Sequence, residues 1–259
     1  MPSVEPLWFA TTAAVLAAIA FTFVLAGFVK GVVGLGLPTI AMGLLGIFMA
    51  PAQAATLLIV PSLITNVRQM LDGGALRALL RRLWPMQTAV VLGTLFAPVS
   101  LATLDTRIAS AGLGAALIVY AALGLAAVRF SVAGNAERWA APMVGLITGV
   151  ITAATGVFVI PAAPYLQGLG LTKDQLVQAL GLSFTVSTMA LSLRLAFDGS
   201  LTFSAITTGW GLVMPLLAAL AGMALGTALR GKLSEAVFKR VFFAGLLLVG
   251  LHLALKGLL

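Results

Sequence analysis

Apolar residues fill most of the chain and are divided into long runs by charged and turn-forming residues. Ten such runs can be drawn, at 8–30, 32–49, 51–71, 83–103, 107–128, 139–155, 157–171, 175–197, 203–228 and 236–256. A helix needs about 20 apolar residues to cross a bilayer. Most of the runs approach or exceed that length, which predicts an all-α polytopic bundle of membrane helices.

Two of the runs are short and contain prolines. Pro38 lies in the second run, and Pro161 and Pro164 lie in the seventh. Proline disrupts a helix interior, and irregular backbone at membrane depth is tolerated where protein encloses it. We expect each of these segments either to cross fully or to be a broken helix or one arm of a re-entrant hairpin.

The composition agrees with a membrane protein. Of 259 residues, 61% are hydrophobic and 8% are charged, whereas soluble domains carry about 25% charged residues. The net charge of +8 lies mostly between the apolar runs, where lysine and arginine set orientation, so we expect a lipid bilayer as partner and not nucleic acid. The chain has no cysteine, hence no disulfide and no thiolate metal site.

Short motifs recur along the chain. GFVKGVV at 27–33 resembles GLITGVI at 145–151, 118 residues later, and RQMLDG at 68–73 matches RLAFDG at 194–199, 126 residues later. These matches predict a duplication, with residues 1–130 as the first repeat and 131–259 as the second. Each repeat holds five segments, and the two form one integral membrane domain.

Basic connections predict how the repeats are oriented. Lysine and arginine cluster at 72–82, 129–138 and 229–240, which favours the cytoplasmic side of the inner membrane for all three. An odd number of crossings in each half satisfies this requirement. The second repeat is then inverted relative to the first, and both chain termini face the outside.

The sequence lacks an arrangement suited to catalysis. There is one histidine, His252, and the seven acidic residues lie at segment ends or in loops. These residues form no zinc-hydrolase motif, nucleotide-binding loop or nucleophile–histidine pair. We therefore expect no enzyme, no cofactor and no metal.

Three basic residues inside the apolar runs are candidates for anion binding. Lys30 lies in the first glycine-rich stretch, and Arg68 and Arg194 each precede an aspartate by four residues, on the same helix face. Each arginine either neutralises its helix end through that aspartate or points into the bundle and holds an anion bidentately. The sequence leaves both interpretations open.

The glycine-rich stretches predict interrupted helices. Gly34, Gly36 and Pro38 in the first half, and Gly156 and Pro161 in the second, suit unwound backbone followed by a new helix. Such a helix turns its free N–H groups and positive dipole end toward the break. We expect the two breaks to meet at the midplane as an anion site. The expected neutral donors are Thr39, Asn66, Gln69, Thr152, Thr155, Ser187 and Thr188.

Glycine pairs four residues apart have a separate expected role. Gly27 and Gly31, and likewise Gly145 and Gly149, have the small-xxx-small spacing of closely packed membrane helices. Gly222 and Gly226 repeat this spacing near the end of the chain. Close helix packing is the default interpretation of all three pairs.

GFVKGVVGLGLP near the start and GLITGVITAATGVFVIP at the midpoint resemble the sulfite exporter TauE/SafE (TSUP) family. The family pattern falls on Gly27, Lys30, Gly31, Gly34, Gly36 and Pro38, and then on Gly145, Gly149, Gly156 and Pro161. The second motif departs from the family by having Ala153, Ala154 and Thr155 where glycines are frequent. The resemblance implies an inner-membrane carrier of sulfite, sulfonates or sulfoacetate-like anions.

These observations predict a secondary transporter or facilitator of a small sulfur-containing anion that works by alternating access. An anion channel and a carrier of small carboxylates are the alternatives. The sequence leaves open the substrate, the direction of transport, the coupling ion and whether the protein forms a homo-oligomer.

Overall fold

The computed structural model describes residues 5–127, 131–132, 134–201 and 210–258, which form ten α-helices and no strand. The helices are α1 (Glu5–Val33), α2 (Leu37–Gly46), α3 (Pro51–Leu71), α4 (Leu76–Leu95), α5 (Thr106–Leu125), α6 (Gly134–Thr155), α7 (Ala162–Gln167), α8 (Lys173–Phe197), α9 (Trp210–Leu229) and α10 (Glu235–Leu258). The expected all-α bundle is confirmed.

Within the described residues, six helices are long and apolar enough to cross a membrane. The candidate spans are Ala13–Val33, Pro51–Leu71, Thr106–Leu125, Lys173–Phe197, Val213–Lys232 and Ala236–Leu258. The chain is therefore a multi-pass membrane protein.

The two proline-containing segments are short helices. Helix α2 has 10 residues and α7 has 6, whereas a hydrocarbon core about 30 Å thick needs roughly 20 helical residues. Neither segment crosses as one continuous helix, so of the two expectations the broken or re-entrant one is correct.

The expected basic loops are shorter than predicted. Helix α4 begins at Leu76, so Arg77, Arg81 and Arg82 lie in its first turns and the true connection is 72–75. The stretch LRALLRRL consists of strong helix formers, which outweigh its charges. The connection 229–240 likewise gives way to α10 at Glu235, and that at 129–138 gives way to α6 at Gly134. Residues 203–209 of the ninth run lie outside the described residues.

Side-chain contacts fix the relative directions of the helices. Helix α3 runs parallel to α1, since Lys30 contacts Thr65 and Gly34 contacts Gln69, 35 residues apart in both cases. Helix α8 runs antiparallel to α3, since Ser62 contacts Thr188 whereas Gln69 contacts Val177. The equivalent third helices of the two expected repeats therefore point in opposite directions.

Two tightly packed seams join helices from the two halves of the chain. Gly27 and Gly31 of α1 pack against the backbone of Ala219 and Met223 of α9, and the two helices run parallel. Gly145 and Gly149 of α6 pack in the same way against Met86 and Val90 of α4, again parallel. The expected role of these glycines in close packing is confirmed.

The contacts of these seams recur at fixed spacings. Gly27 and Gly31 precede Gly145 and Gly149 by 118 residues, while their partners on α9 follow those on α4 by 133. In addition, Gly114 of α5 packs on Gly250 of α10, and Gly250 packs back on Gly114. The division into inverted repeats stays a prediction, and these contacts agree with it.

The short helices lie inside the bundle. Helix α2 is buried along nearly its whole length, and four of the six residues of α7 are buried. The segment before α7 adds Phe158, whose ring centroid lies 5.4 Å from that of Phe184 on α8. The long helices thus enclose both breaks and the polar side chains between them.

Candidate functional site

Lys30 is buried at the centre of the candidate site, with 4% of its surface exposed. Its Nζ donates hydrogen bonds to Thr65 Oγ1, at 3.1 Å, and to Asn66 Oδ1. Both partners lie on α3 and are almost completely buried. The sequence-predicted pair Lys30 and Asn66 is therefore brought into direct contact.

A hydrogen-bond chain leads from Lys30 to the contact between α3 and α8. Asn66 Nδ2 donates to Ser62 Oγ at 2.9 Å, and Ser62 Oγ lies 3.1 Å from Thr188 Oγ1. Because Thr188 gives its only hydroxyl proton to the carbonyl oxygen of Phe184 at 2.6 Å, Ser62 must be the donor in its contact with Thr188. The chain has a fixed donor direction that starts at Lys30.

Among the described residues, no carboxylate pairs with the Lys30 ammonium. The ion pairs among the described residues are Arg82–Glu137 and Arg194–Asp198, and both described partners of Lys30 are neutral. An ammonium has three donors, of which two are used. Removing a cation from water costs several kcal/mol unless it is paired, so an anion bound beside Lys30 would stabilise its charged form.

The first break has the backbone that its sequence predicts. Gly34 and Gly36 have φ angles of 80° and 108°, which disfavour side chains, and Pro38 occupies the first turn of α2. Thr39 Oγ1 donates to the carbonyl oxygen of Gly36 at 2.9 Å. Gln69 Nε2 joins the break to α8, since it donates to the carbonyl oxygens of Gly34 and Val177.

The second break is built differently. Gly156, with φ 71°, ends α6, and Pro161 follows a cis peptide bond immediately before α7. Thr155 Oγ1 donates to the carbonyl oxygen of Ile151 at 2.7 Å and accepts from the amide of Val157. Its hydroxyl therefore stabilises the end of α6.

The two breaks do not meet as expected. The first contacts Gln69, near the C-terminal end of α3. The segment Thr152–Thr155 beside the second contacts the α4–α5 connection, where the amide of Leu101 donates to the carbonyl oxygen of Ala153 at 2.7 Å. Since Ser100 in that connection contacts Asp198 at the end of α8, the second break lies toward the opposite end of the α3–α8 pair from the first. Gly156 in the second break packs against the side chain of Met42, in the middle of α2. The centre is occupied by side chains instead of two helix ends.

The two arginines of the repeated motif have different surroundings. Arg194 forms an ion pair with Asp198 at 3.1 Å and donates to the carbonyl oxygens of Leu95 and Ala97. Arg68 is exposed on α3 and forms no ion pair with Asp72. The structure therefore brings neither arginine to Lys30, and an anion-binding role for either stays a prediction.

Several buried polar groups beside the centre lack hydrogen-bond partners. Most buried threonines in helices donate to the carbonyl four residues earlier, as Thr152 and Thr185 do, which is the usual local bond. The side chains of Thr148, Ser183, Ser187 and Gln87 have no partner among the described residues. A buried polar group without a partner costs about 1–3 kcal/mol, so these donors are open to a further ligand.

The unpaired polar groups lie at nearly the same height along the helix axes as the Ser62–Thr188 contact. Helices α4 and α8 run side by side, with Arg194 bonded to Leu95. Counting back about eight residues from each, at 1.5 Å per residue, puts Gln87 level with Val186, which is between Ser183 and Ser187. Ser187 was predicted from the sequence, whereas Gln87, Thr148 and Ser183 were not.

Sequence reasoning also missed Ser62 and Thr65. The repeat spacing could have identified Ser62, because Ser62 and Thr188 are separated by 126 residues, the same spacing as Arg68 and Arg194. Residues that a two-fold relation exchanges lie close together only near the axis. Polar residues at the repeat spacing are therefore candidates for the centre of the bundle.

Comparison with known families agrees with this arrangement. A family model described as sulfite exporter TauE/SafE matches residues 19–253, which include Lys30, both breaks and the α3–α8 contact. No curated protein and no solved structure gives a significant match. The matched family implies a membrane transporter of sulfite or related anions. Because the match covers nearly the whole chain, the protein belongs to the sulfite exporter TauE/SafE family.

Proposed function

We propose that this protein is a secondary transporter or facilitator that moves a small sulfur-containing anion across the inner membrane by alternating access. Sulfite, a sulfonate or a sulfoacetate-like molecule is the substrate class. The observation that carries the proposal is the buried ammonium of Lys30, which binds Thr65 and Asn66 and has no carboxylate partner among the described residues.

The charge of Lys30 supports an anionic substrate. An ionisable residue inside a membrane bundle is costly and usually marks a substrate or ion pathway. Thr65 and Asn66 hold two of its donors, which orients the ammonium without neutralising it. A bound anion completes the third contact and compensates the charge.

The neutral groups support an oxyanion. Sulfite and sulfonate each carry three oxygens on one sulfur atom, and each oxygen accepts more than one hydrogen bond. Ser187, Ser183, Thr148 and Gln87 hold unpaired polar atoms near the level of the Ser62–Thr188 contact. A site with one cation and several neutral hydrogen-bond donors can bind a monoanion and still release it, whereas several cations would hold the anion too tightly.

The helix directions support alternating access. Helix α3 runs antiparallel to its proposed counterpart α8, and Ser62 meets its counterpart Thr188 between them. Inverted repeats of this kind allow one protein to adopt two related shapes around a central site. We propose that the substrate binds beside this contact, with residues 1–130 and 131–259 as the exchanging halves.

Transport in proteoliposomes tests the function. We expect saturable uptake of radiolabelled sulfite or methanesulfonate that is accelerated by unlabelled substrate inside the vesicles. Lys30→Met should abolish uptake, whereas Lys232→Met, at an exposed position beyond α9, should leave it intact. Uptake at the normal rate by Lys30→Met would contradict the proposal.

The same vesicles separate the two alternatives. A channel passes anion current without saturation or exchange, and a carboxylate carrier exchanges acetate or malonate in preference to sulfite. Stabilisation of the purified protein against heat by each anion ranks the substrates independently, since a ligand stabilises the state that it binds.

A further inference from the structure

One end of α8 is fastened to the neighbouring helix by a group of polar contacts. Arg194 pairs with Asp198 at 3.1 Å and donates to the carbonyl oxygens of Leu95 and Ala97 at 2.6 and 3.2 Å. Ser100 donates to the same carboxylate. These contacts hold the end of α8 against the end of α4, and we call them the α8 latch.

The repeat spacings identify a matching group at the other end of the bundle. Arg68 and Asp72 of α3 correspond to Arg194 and Asp198 at a spacing of 126 residues. The end of α9 corresponds to the end of α4 at a spacing of 133, as Gly93 with Gly226 and Thr94 with Thr227 show. The counterpart of Ser100 then falls at Leu233, next to Ser234. We call Arg68, Asp72 and the segment 228–234 the α3 latch.

The α3 latch is open in this structure in the sense that its ion pair is not formed, while Thr65, one turn inside it, stays as buried as Leu191 inside the α8 latch. Arg68 and Asp72 are both exposed, and neither has an ion-pair partner among the described residues. The end of α9 is bound elsewhere, since Arg230 Nε donates to the carbonyl oxygen of Val32 on α1 at 2.7 Å. The same motif is therefore closed at one end of the bundle and open at the other.

We propose that the two latches close alternately, so that the α8 latch seals one face of the transporter and the α3 latch seals the other. This inference rests on the proposed alternating access and names the contacts that exchange. When α8 separates from α4, Arg194 loses the carbonyl oxygens of Leu95 and Ala97, and Arg68 gains the equivalent carbonyls at the end of α9.

The difference between the two ends is the reason to assign this role. A cap that only neutralised a helix end would form at both copies of the motif, because Arg68 and Asp72 have the same four-residue spacing as Arg194 and Asp198. The spacing alone allows the pair, so the contact with the neighbouring helix must decide whether it forms. Exchange between two such contacts leaves the number of ion pairs unchanged, which keeps the two states close in free energy.

Cysteine labelling of the purified protein tests this proposal, because the natural chain contains no cysteine. Leu191→Cys places a thiol one turn inside the α8 latch, at a position with 1% exposure. Thr65→Cys is its counterpart, 126 residues earlier and equally buried. The rate at which a maleimide labels each thiol reports the opening of that end.

We expect Asp198→Asn to raise labelling of Leu191→Cys by about two- to fivefold, the equilibrium factor of a weak ion pair, and to lower labelling of Thr65→Cys. Asp72→Asn should have the reverse effect on both thiols. Asp174→Asn, at an exposed position in the first turn of α8, should change neither. Arg194→Lys, which keeps a donor for the carbonyl oxygens of Leu95 and Ala97, should raise labelling of Leu191→Cys less than Arg194→Met does.

Three outcomes would overturn the proposal. Asp198→Asn could speed the labelling of both thiols, which indicates general loosening of the bundle, or it could change the labelling of neither. The third outcome is that Asp72→Asn has no effect on either thiol. The labelling uses no transported anion. Reciprocal labelling in a protein that transports no sulfur-containing anion would therefore refute the proposed substrate and retain the latches.

Discussion

Ser62 and Thr188 are separated by 126 residues in the chain and lie 3.1 Å apart at their hydroxyl oxygens. Each is buried on the third helix of its half, and Ser62 also accepts from Asn66, which binds Lys30. The contact between the two halves is thus continuous with the polar contacts of the buried cation.

A double-mutant cycle should detect this hydroxyl pair. We expect Ser62→Ala and Thr188→Val each to destabilise the protein by about 1–2 kcal/mol, because each leaves a buried partner unpaired. The double variant should lose about 0.6 kcal/mol less free energy of unfolding than the two single variants lose together, which is the usual size of such hydrogen bonds in membrane proteins. Unfolding in denaturing detergent measures all three. The control cycle combines Ser62→Ala with Thr227→Val, because the Thr227 hydroxyl is exposed and bonds to its own helix. In that control the two changes in the free energy of unfolding should be additive. Additivity in the Ser62–Thr188 cycle would contradict the hydroxyl pair.

Asn66→Asp should replace the substrate by an internal carboxylate. Asn66 Oδ1 already accepts from Lys30, so an aspartate at this position supplies the missing negative charge. We expect the unliganded protein to become more stable and the thermal stabilisation by sulfite, about 2.7 kcal/mol at a hundredfold excess over the dissociation constant, to disappear. Asn135→Asp, at an exposed position, is the control. A sulfite response of normal size in Asn66→Asp would show that the anion binds elsewhere.

The seam between α4 and α6 should not tolerate a methyl group. A Cβ at Gly145 would lie 2.2 Å from the carbonyl oxygen of Met86, so we expect Gly145→Ala to destabilise the fold by about 1–3 kcal/mol. Gly245 in α10 has no atom within 4 Å of such a Cβ. Gly245→Ala should be neutral or stabilising by up to about 1 kcal/mol. Thermal unfolding monitored by size-exclusion chromatography checks both, and equal effects would contradict the seam.

The first break should depend on glycine at position 36. Gly36 has φ 108° and its Cβ would approach Val29 Cγ1 to 3.2 Å, so Gly36→Ala should cost about 1–3 kcal/mol. Gly74 has open space around it and no positive φ, so Gly74→Ala should stay within about 0.5 kcal/mol. The same unfolding measurement compares them. If Gly36→Ala is harmless, the backbone between α1 and α2 is not fixed as described.

The sequence predicted most helices well because apolar runs flanked by turn residues mark their ends. Pro51 and Asp72 bound α3 as expected, and Thr172 begins α8 with a capping box. It failed at α4, where a basic stretch resembling a loop proved helical. Charge carries little information on helix formation when the residues concerned are leucine, alanine and arginine.

The candidate site was predicted in part. Lys30 and Asn66 follow from their polarity in an apolar run, but their contact depends on the parallel course of α1 and α3, which no local pattern specifies. Arg68 and Arg194 share one motif and differ in their contacts. Sequence describes both copies equally, whereas the conformation of the bundle decides which copy is paired.

The glycine seams have a consequence for how the chain is made. Gly27 and Gly31 of α1 meet α9, nearly two hundred residues later, and α4 meets α6 from the other half. During synthesis α1 is therefore made long before α9, and the small-residue face of α1 lacks this partner until α9 follows. A chain stopped before residue 210 lacks one seam completely. The seam between α1 and α9 can form only after α9 has been synthesised.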